Sequence, residues 1–490
     1  MHSIWLVLVL SVLSSSVRAG TLGDLTYEIA NGEVTITDCD QNSIGNLEIL
    51  PQIESMPVTS ISDGAFEGCK LLSSCSLPNT ITELGAGSFK DCVSLERVTL
   101  PSGITTLKEE TFKNCTSLTE VLLPETLTII SGSNSGLLPP ALSGVKFYHQ
   151  GAFHGCKSLE KVHLPNSLRI IDGSAFAECS SLTTISLPQS LKRLGRAAFW
   201  NCKGLKNVIL NNGLEEIFSY CFSGCRALEE IRIPDSVSIY GLGIFQNCTA
   251  LSDVRLSKNC SIITFEMFDN CEALLNVHIP DGIERIDHDA FKNCSQLEKA
   301  SIPGTIVHFD ISTPFRGCNM LTTLEIRQGT ISISGGWPSL ESLSIISLPY
   351  SLKSIYQDTF FGLKKLNSIS IPQNVSTIED GAFSDCENLS KIFLPERYHS
   401  QSEAQRIGIP QLWPDGFSLP VSSVSEPELS IRVPLQLILT GEQNTTTVIE
   451  ATDTADGPWT EWQTVVIGEE GVTEVDLDEG AGKRFYRVRD

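Results

Sequence analysis

Beyond its first residues the chain has no apolar run of about 18 residues, the length a membrane-crossing helix needs. The longest run, Ile4–Leu13, is too short to span a bilayer and sits at the amino end. Clustered cations are also missing: 35 Lys and Arg face 58 Asp and Glu, a net charge of −23. Nucleic acid and anionic membranes are held by clustered Lys and Arg, so neither is an expected partner. The balance fits a soluble protein kept apart by self-repulsion. The chain has no H-E-x-x-H, no G-x-S-x-G elbow, no P-loop and no dinucleotide fingerprint. Its eight His are scattered, and its carboxylates form no recognisable pair. The expectation is a protein that is not an enzyme, with no cofactor and no metal. The residual exception is an acid–base pair assembled from residues one repeat apart.

Small residues and Val17-Arg18-Ala19 follow the apolar run, the pattern of a secretory leader. Residues 1–19 are read as a signal peptide, with a membrane anchor as the rival. The mature chain is expected to be secreted or cell-surface, with no transmembrane segment.

Repetition is what the chain has most of. "FKNCTSLTEVLLPETL" begins at Phe112 and "FKNCSQLEKASIPGTI" at Phe291. Cys156, Cys179, Cys202, Cys225, Cys248, Cys271 and Cys294 follow Cys115, each 23 residues on after Cys156. The unit is A-F-x-x-C-x-x-L-x-x-V-x-L-P-x-x-L-x-x-I-x-x-x, and fourteen copies begin between 65 and 382. A period of this size marks a solenoid, because one coil cannot bury its own apolar face and stacked coils can. "LxxVxLP" alternates like a short strand with one buried face, and Pro stops it. Gly, Asn or Asp precedes the Cys position in twelve copies, residues that tolerate a left-handed backbone or close a helical turn. "AFxxC" is then a short turn or 3₁₀ piece on the far side of the coil, with the Phe ring filling the middle. Fourteen coils at a strand spacing of about 4.8 Å would run about 65–70 Å.

Sixteen Cys in an exported chain would ordinarily suggest disulfides. Twelve occupy one repeat position, and Cys75, Cys221 and Cys260 replace other inward apolar residues. Only Cys39 lies outside the pattern. Stacked neighbours would hold their Cβ atoms about 4.8 Å apart, where a bridge wants about 3.8 Å. The column is therefore read as buried thiols serving as small apolar fillers. The N-x-S/T triplets at Asn114, Asn247 and Asn293 fall at the turn position, where Asn is wanted anyway, and are read as coincidence.

"SISDGAFEGCKLLSSCSLP" (60–78) and "TIEDGAFSDCENLSKIFLP" (377–395) resemble the BspA-type leucine-rich repeats, the 23-residue class of bacterial surface proteins. "LTYEIANGEVTITD" with "SMPVTSISDGAF" resembles that family's N-terminal cap. The resemblance covers about residues 25–400. Leu340 and Leu363 depart from it at the Cys position, and 131–148 has no counterpart. It implies a leucine-rich-repeat solenoid, with adhesion or cell-surface interaction as its work.

The fold expected is mostly β with short turns: an N-terminal β cap (20–60), a solenoid (61–398) with an inserted loop (131–148), a linker (399–430) and a small all-β domain (431–490). The last is expected because "LQLILTG", "TTTVIEAT", "WQTVVIG", "VTEVDLD" and "RFYRVRD" alternate like strands between Gly and Asp turns. "PWTEWQ" and "RFYRV" resemble small fibronectin-III-like C-terminal modules. The polar positions flanking Val should form a concave sheet face. The candidate binding surface is Lys161, His163, Glu230, Arg232, Asp253, Arg255, Asn276 and His278. Ser and Thr dominate this face elsewhere, as at Ser74, Ser76, Thr184, Ser186, Ser368 and Ser370. The expected partner is an extracellular or cell-surface protein, with a glycan second. The loop's Leu137, Leu138, Phe147 and Tyr148 are a secondary candidate. The rival function is a structural envelope spacer anchored by the C-terminal domain, and an enzyme ranks behind both.

Overall fold

The computed structural model describes residues 17–132, 150–310, 314–336 and 340–409, and then short strands as far as 489. Residues 1–16 of the expected leader and most of the inserted loop, with Leu137, Leu138, Phe147 and Tyr148, lie outside the described residues. The chain divides into two compact units, Met1–Pro420 and Val421–Asp490.

The first unit opens with a hairpin. Leu25–Ala30 and Glu33–Cys39 pair antiparallel, turned by Asn31 and Gly32 at φ 56° and 82°. Asn-Gly is the pair that tolerates such a turn. Arg18–Leu22 adds to the hairpin's edge, so the expected cleavage after Ala19 falls inside a strand. Met56–Ile61 pairs parallel to Glu33–Cys39 and leads into the repeats.

Each coil but the last then carries two short parallel strands, where the sequence reading expected one. The longer runs through "LxxVxL", as in Thr184–Ser186 paired with Asn207–Ile209, residue for residue at a spacing of 23. The shorter falls on the "LxxI" that follows Pro, as in Arg193–Leu194 paired with Glu216–Ile217. Register survives the insertion: Glu120 pairs with Lys161 and Ile129 with Ile170. The sequence hid the second strand because two residues are too few to display a period of two.

The third side of each coil is turns: "AFxxC" takes the turn form, and the 3₁₀ helix among the described residues, Glu396–Tyr398, comes after the last strand of the array. Backbone accounting explains why turns suffice. In the coil around Phe199, the N–H groups of Ala198, Trp200 and Cys202 donate within the coil to Gly195, Ala197 and Phe199. Those of Ala197, Phe199 and Asn201 donate to the next coil, to Ser219, Cys221 and Ser223. Alternate residues thus point along the solenoid although the backbone is not extended.

This geometry needs left-handed residues at two places. One is the position before Cys, where the residue types tolerate it: Asp91, Asn114, Asn201, Asn247, Asn270 and Asn293 all have φ between 56° and 60°. Their side chains join the coils. Asn114 Nδ2 donates to Asp91 Oδ1 (2.8 Å), Asn270 Nδ2 to Asn247 Oδ1 (3.0 Å) and Asn293 Nδ2 to Asn270 Oδ1 (2.9 Å). The other lies just before "AF" and holds Glu110, Ser174, Ala197, Tyr220, Glu266 and Asp289 at φ 55–59°. Gly64, Gly87, Gly243, Gly381 and Asp358 hold the same position at φ 56–67°, a signal the sequence reading did not use, whereas Glu, Ser, Ala and Tyr carry no left-handed signature.

The core is a column. Eleven Phe rings, from Phe66 to Phe315, stack with centroids 4.8–5.8 Å apart and planes within 13° of parallel. Beside it runs the thiol column. All sixteen Cys are free and buried. In eleven coils the thiol lies 3.0–3.3 Å from the Phe carbonyl of the preceding coil and donates to it. These thiols therefore do more than fill space. Burial pushes them up, Cys92 and Cys248 to about 12, so they are held as inert S–H donors.

Residues 399–409, read as the start of a linker, instead close the solenoid. Gln401–Arg406 is a helix capped by Ser400, and Ala404, Ile407 and Ile409 are fully buried. An open coil end needs such a cover. In the second unit, Leu435–Thr440 pairs antiparallel with Val472–Leu477, and Thr446–Thr452 pairs antiparallel with both Thr460–Val466 and Phe485–Arg489.

Candidate functional site

The longer strands present one face to solvent. In six coils the middle residue is buried and both neighbours are exposed, as in Lys161–His163, Thr184–Ser186 and Glu230–Arg232. Parallel pairing aligns these neighbours into two exposed columns along the face.

Four candidates come together. Glu230 aligns with Asp253 and Arg232 with Arg255. Arg232 forms an ion pair with Asp253 and lies 3.5 Å from Glu230. All three side chains are more than half exposed, so the pair contributes little to stability. Arg255 has no ion-pair partner among the described residues. Asn276 is exposed one coil further on; the strand Asn276–His278 continues the ladder, but the His278 side chain lies outside the described residues. Lys161 and His163 are exposed on the same face, three coils before Glu230, about 14 Å away at a strand spacing near 4.8 Å.

Between these groups lies a feature the sequence reading missed. Thr184, Ser186, Asn207, Ile209, Glu230 and Arg232 line a shallow depression of about 470 Å³. Ile209 occupies an outward position and is 64% exposed. The available signal was "LKNVILN", which places Ile where most coils have a polar residue. Leu122 and Ile345 are exposed at other rungs.

Two further groups of titratable side chains lie elsewhere among the described residues. A cavity of about 610 Å³ at the carboxyl end of the repeats is lined by Asp380, Glu403 and Arg406, among others. Arg406 is already engaged there by Asp380 (2.9 Å), Glu403 (2.6 Å) and Ile378 O (2.7 Å). On the turn side, Gln246 Nε2 donates to Glu266 Oε2 (2.9 Å) and to Asp269 Oδ2 (3.1 Å). Burial pushes the carboxyls of Glu266 and Asp269 up. Asp269 is 4% exposed and its Oδ1 has no hydrogen-bond partner. Among the described residues, no three His, Cys, Asp or Glu gather as a metal site, and no helix is long and apolar enough to cross a membrane.

Asp269 gives a pH prediction. Its folded pKa is raised, so its ionisation costs stability as pH rises from the ordinary carboxylate range through that raised value. Asp269→Asn abolishes the ionisation while leaving a neutral polar group in place, and is expected to stabilise the protein by about 1 kcal/mol at pH 7, the low end of the cost of burying an incompletely bonded charge. Below about pH 4 the two proteins should unfold alike. Urea melts at both pH values check this; a variant less stable than the parent at pH 7 would refute it.

The BspA type leucine rich repeat region matches residues 42–134, 143–252, 243–337 and 337–405. Among solved structures, a leucine-rich repeat protein from Bacteroides ovatus is similar over 82% of this chain and 99% of its own, at 21% identity and a TM-score of 0.52. That likeness is one of fold. A leucine rich cell surface protein from Faecalibacterium prausnitzii is 24% identical and covers 81% of this chain and 99% of its own, with a TM-score of 0.41. No curated protein matches the chain.

Proposed function

The chain belongs to the BspA-type leucine-rich repeat family, and from that premise we propose that it is an exported, non-enzymatic binding protein whose strand face docks an extracellular or cell-surface protein. The observation that carries this reading is the pair of exposed columns on either side of a buried one, repeated along the array. Protein interfaces combine an apolar anchor with a polar rim. Ile209 offers the anchor, and Asn207, Glu230, Arg232, Asp253 and Arg255 offer the rim. Adhesion is the role that fits a face of this length, and a glycan is the second class of partner. A spacer attached through the C-terminal unit is the competing reading, favoured by the unbroken column of stacked rings.

The full-length protein should be passed over arrayed extracellular proteins, glycans and envelope polymers. Ile209→Asp and the double change Arg232→Glu with Arg255→Glu are each expected to weaken a saturable protein interaction about tenfold or more. If binding is confined to envelope polymers and both variants bind as the parent does, the strand face is not the docking surface and the spacer reading takes over.

A further inference from the structure

Five of the sixteen cysteines lack the Phe carbonyl that the other eleven thiols bond, and two of the five, Cys39 and Cys69, meet. Cys39 lies outside the repeat, at the end of strand Glu33–Cys39, and is 3% exposed. Cys69 belongs to the first coil, so no Phe carbonyl of an earlier coil is available to it. Its Sγ lies 3.9 Å from Cys39 O and 3.8 Å from Asp40 O, while Cys39 Sγ lies 3.7 Å from the same Asp40 O. Two buried thiols crowd one oxygen. Elsewhere in the column each thiol has its own carbonyl at 3.0–3.3 Å. The contact with Cys69 is the main influence pushing the Cys39 thiol up, and burial adds to it.

Bridges along the column are opposed by parallel Cβ vectors about 4.8 Å apart. That restriction does not govern this pair, because Cys39 arrives from the hairpin and not from a stacked copy of the repeat. Both thiols also have little to lose, since their present contacts are long for S–H donors. Cys294 and Cys318 touch as well, but they keep their own Phe carbonyls at 3.2 and 3.1 Å.

We propose that Cys39 and Cys69 form a disulfide site that staples the N-terminal hairpin to the first coil. The oxidant is a second disulfide, a small one or that of a dithiol oxidoreductase. One thiolate attacks an oxidant sulfur, forming a mixed disulfide and expelling one thiolate. The second cysteine then attacks the protein sulfur of that mixed disulfide, forming the Cys39–Cys69 bond and expelling the other half of the oxidant. The two cysteines give up two electrons and two protons, which leave with the reduced oxidant. Both thiols are buried once the hairpin has docked, so exchange is fast during folding and slow on the folded, reduced protein. The bridge closes a span of 30 residues at the end of the array, where a solenoid frays first. None of this depends on the strand face being a docking surface.

The test is to refold the full chain in a buffer of reduced and oxidised glutathione, alkylate free thiols, digest it and map the linked peptides. The expected result is a Cys39–Cys69 peptide and two fewer than the sixteen thiols of the reduced chain. Adding reductant should lower the melting midpoint of the oxidised protein by about 2–5 °C. Cys39→Ser and Cys39→Ala should each lose that sensitivity. Recovery of Cys39 and Cys69 both alkylated, or of Cys39 joined to Cys75, would overturn the proposal.

Discussion

Phe199→Ala should cost the solenoid about 3–5 kcal/mol, the usual penalty for removing a fully buried aromatic side chain. Phe199 is fully buried, with Phe176 and Phe222 each 5.4 Å away on either side. The change therefore removes two ring contacts as well as the ring's own burial. Neighbouring coils cannot collapse into the gap, because their backbones are held by hydrogen bonds on all three sides. In a stacked array, stability is close to a sum of coil terms and nearest-neighbour terms. A hole in the middle should therefore weaken the coupling between halves. Chemical denaturation is expected to broaden from one transition towards two, read by circular dichroism. Phe199→Leu should retain most of the stability and a single transition. A Phe199→Ala protein that melts as the parent does would mean that the ring column is not what holds the coils together.

Gly224→Val is the second large effect expected, at about 3 kcal/mol. Gly224 has φ 77°, and a Cβ built on it would collide with Asn201 Oδ1 of the preceding coil. A left-handed backbone costs an ordinary residue about 1–2 kcal/mol, and branching at Cβ makes it worse. Gly224→Asn is the informative partner. Asn201 and Asn247 hold the same position in the coils before and after, at φ 56° and 60°. An Asn at 224 brings a Cβ too, so the Asn201 side chain must turn its Oδ1 aside; with that shift the new side chain should donate to it, as Asn270 does to Asn247, and cost less than about 1 kcal/mol. Thermal melts of the three proteins decide it. Equal losses for Val and Asn would show that crowding, and not backbone handedness, sets the requirement.

Much of this fold can be read residue by residue. The Phe column, the buried thiols, the left-handed position before Cys and the strand ended by Pro each follow from one residue type recurring every 23 positions. Recurrence makes the inference strong, since a fortuitous pattern would not survive fourteen copies. Other features carry no chemical signature in some coils. Ala197 and Tyr220 are left-handed because alternate N–H groups must reach the next coil, and nothing in either side chain announces it. The second strand of each coil is made by pairing between coils, which no single segment contains. In the sequence, residues 401–406 read as linker, because the helix they form is buried only by the last coil lying beneath it.

The candidate surface divides the same way. That Lys161, Glu230, Arg232, Asp253, Arg255 and Asn276 face outward was settled by the alternation of the strand. That Arg232 reaches Asp253, that Arg255 has no ion-pair partner among the described residues and that Ile209 lines a depression depended on register between coils, a property of stacking. Cys39 is the clearest case. In the sequence it is merely the cysteine that fits no pattern. Only the tertiary structure sets it against Cys69, because the hairpin that carries it folds back onto a coil 30 residues further along. A linear repeat determines what each coil must bury, while contacts between unlike parts of the chain arise only when the whole chain has packed.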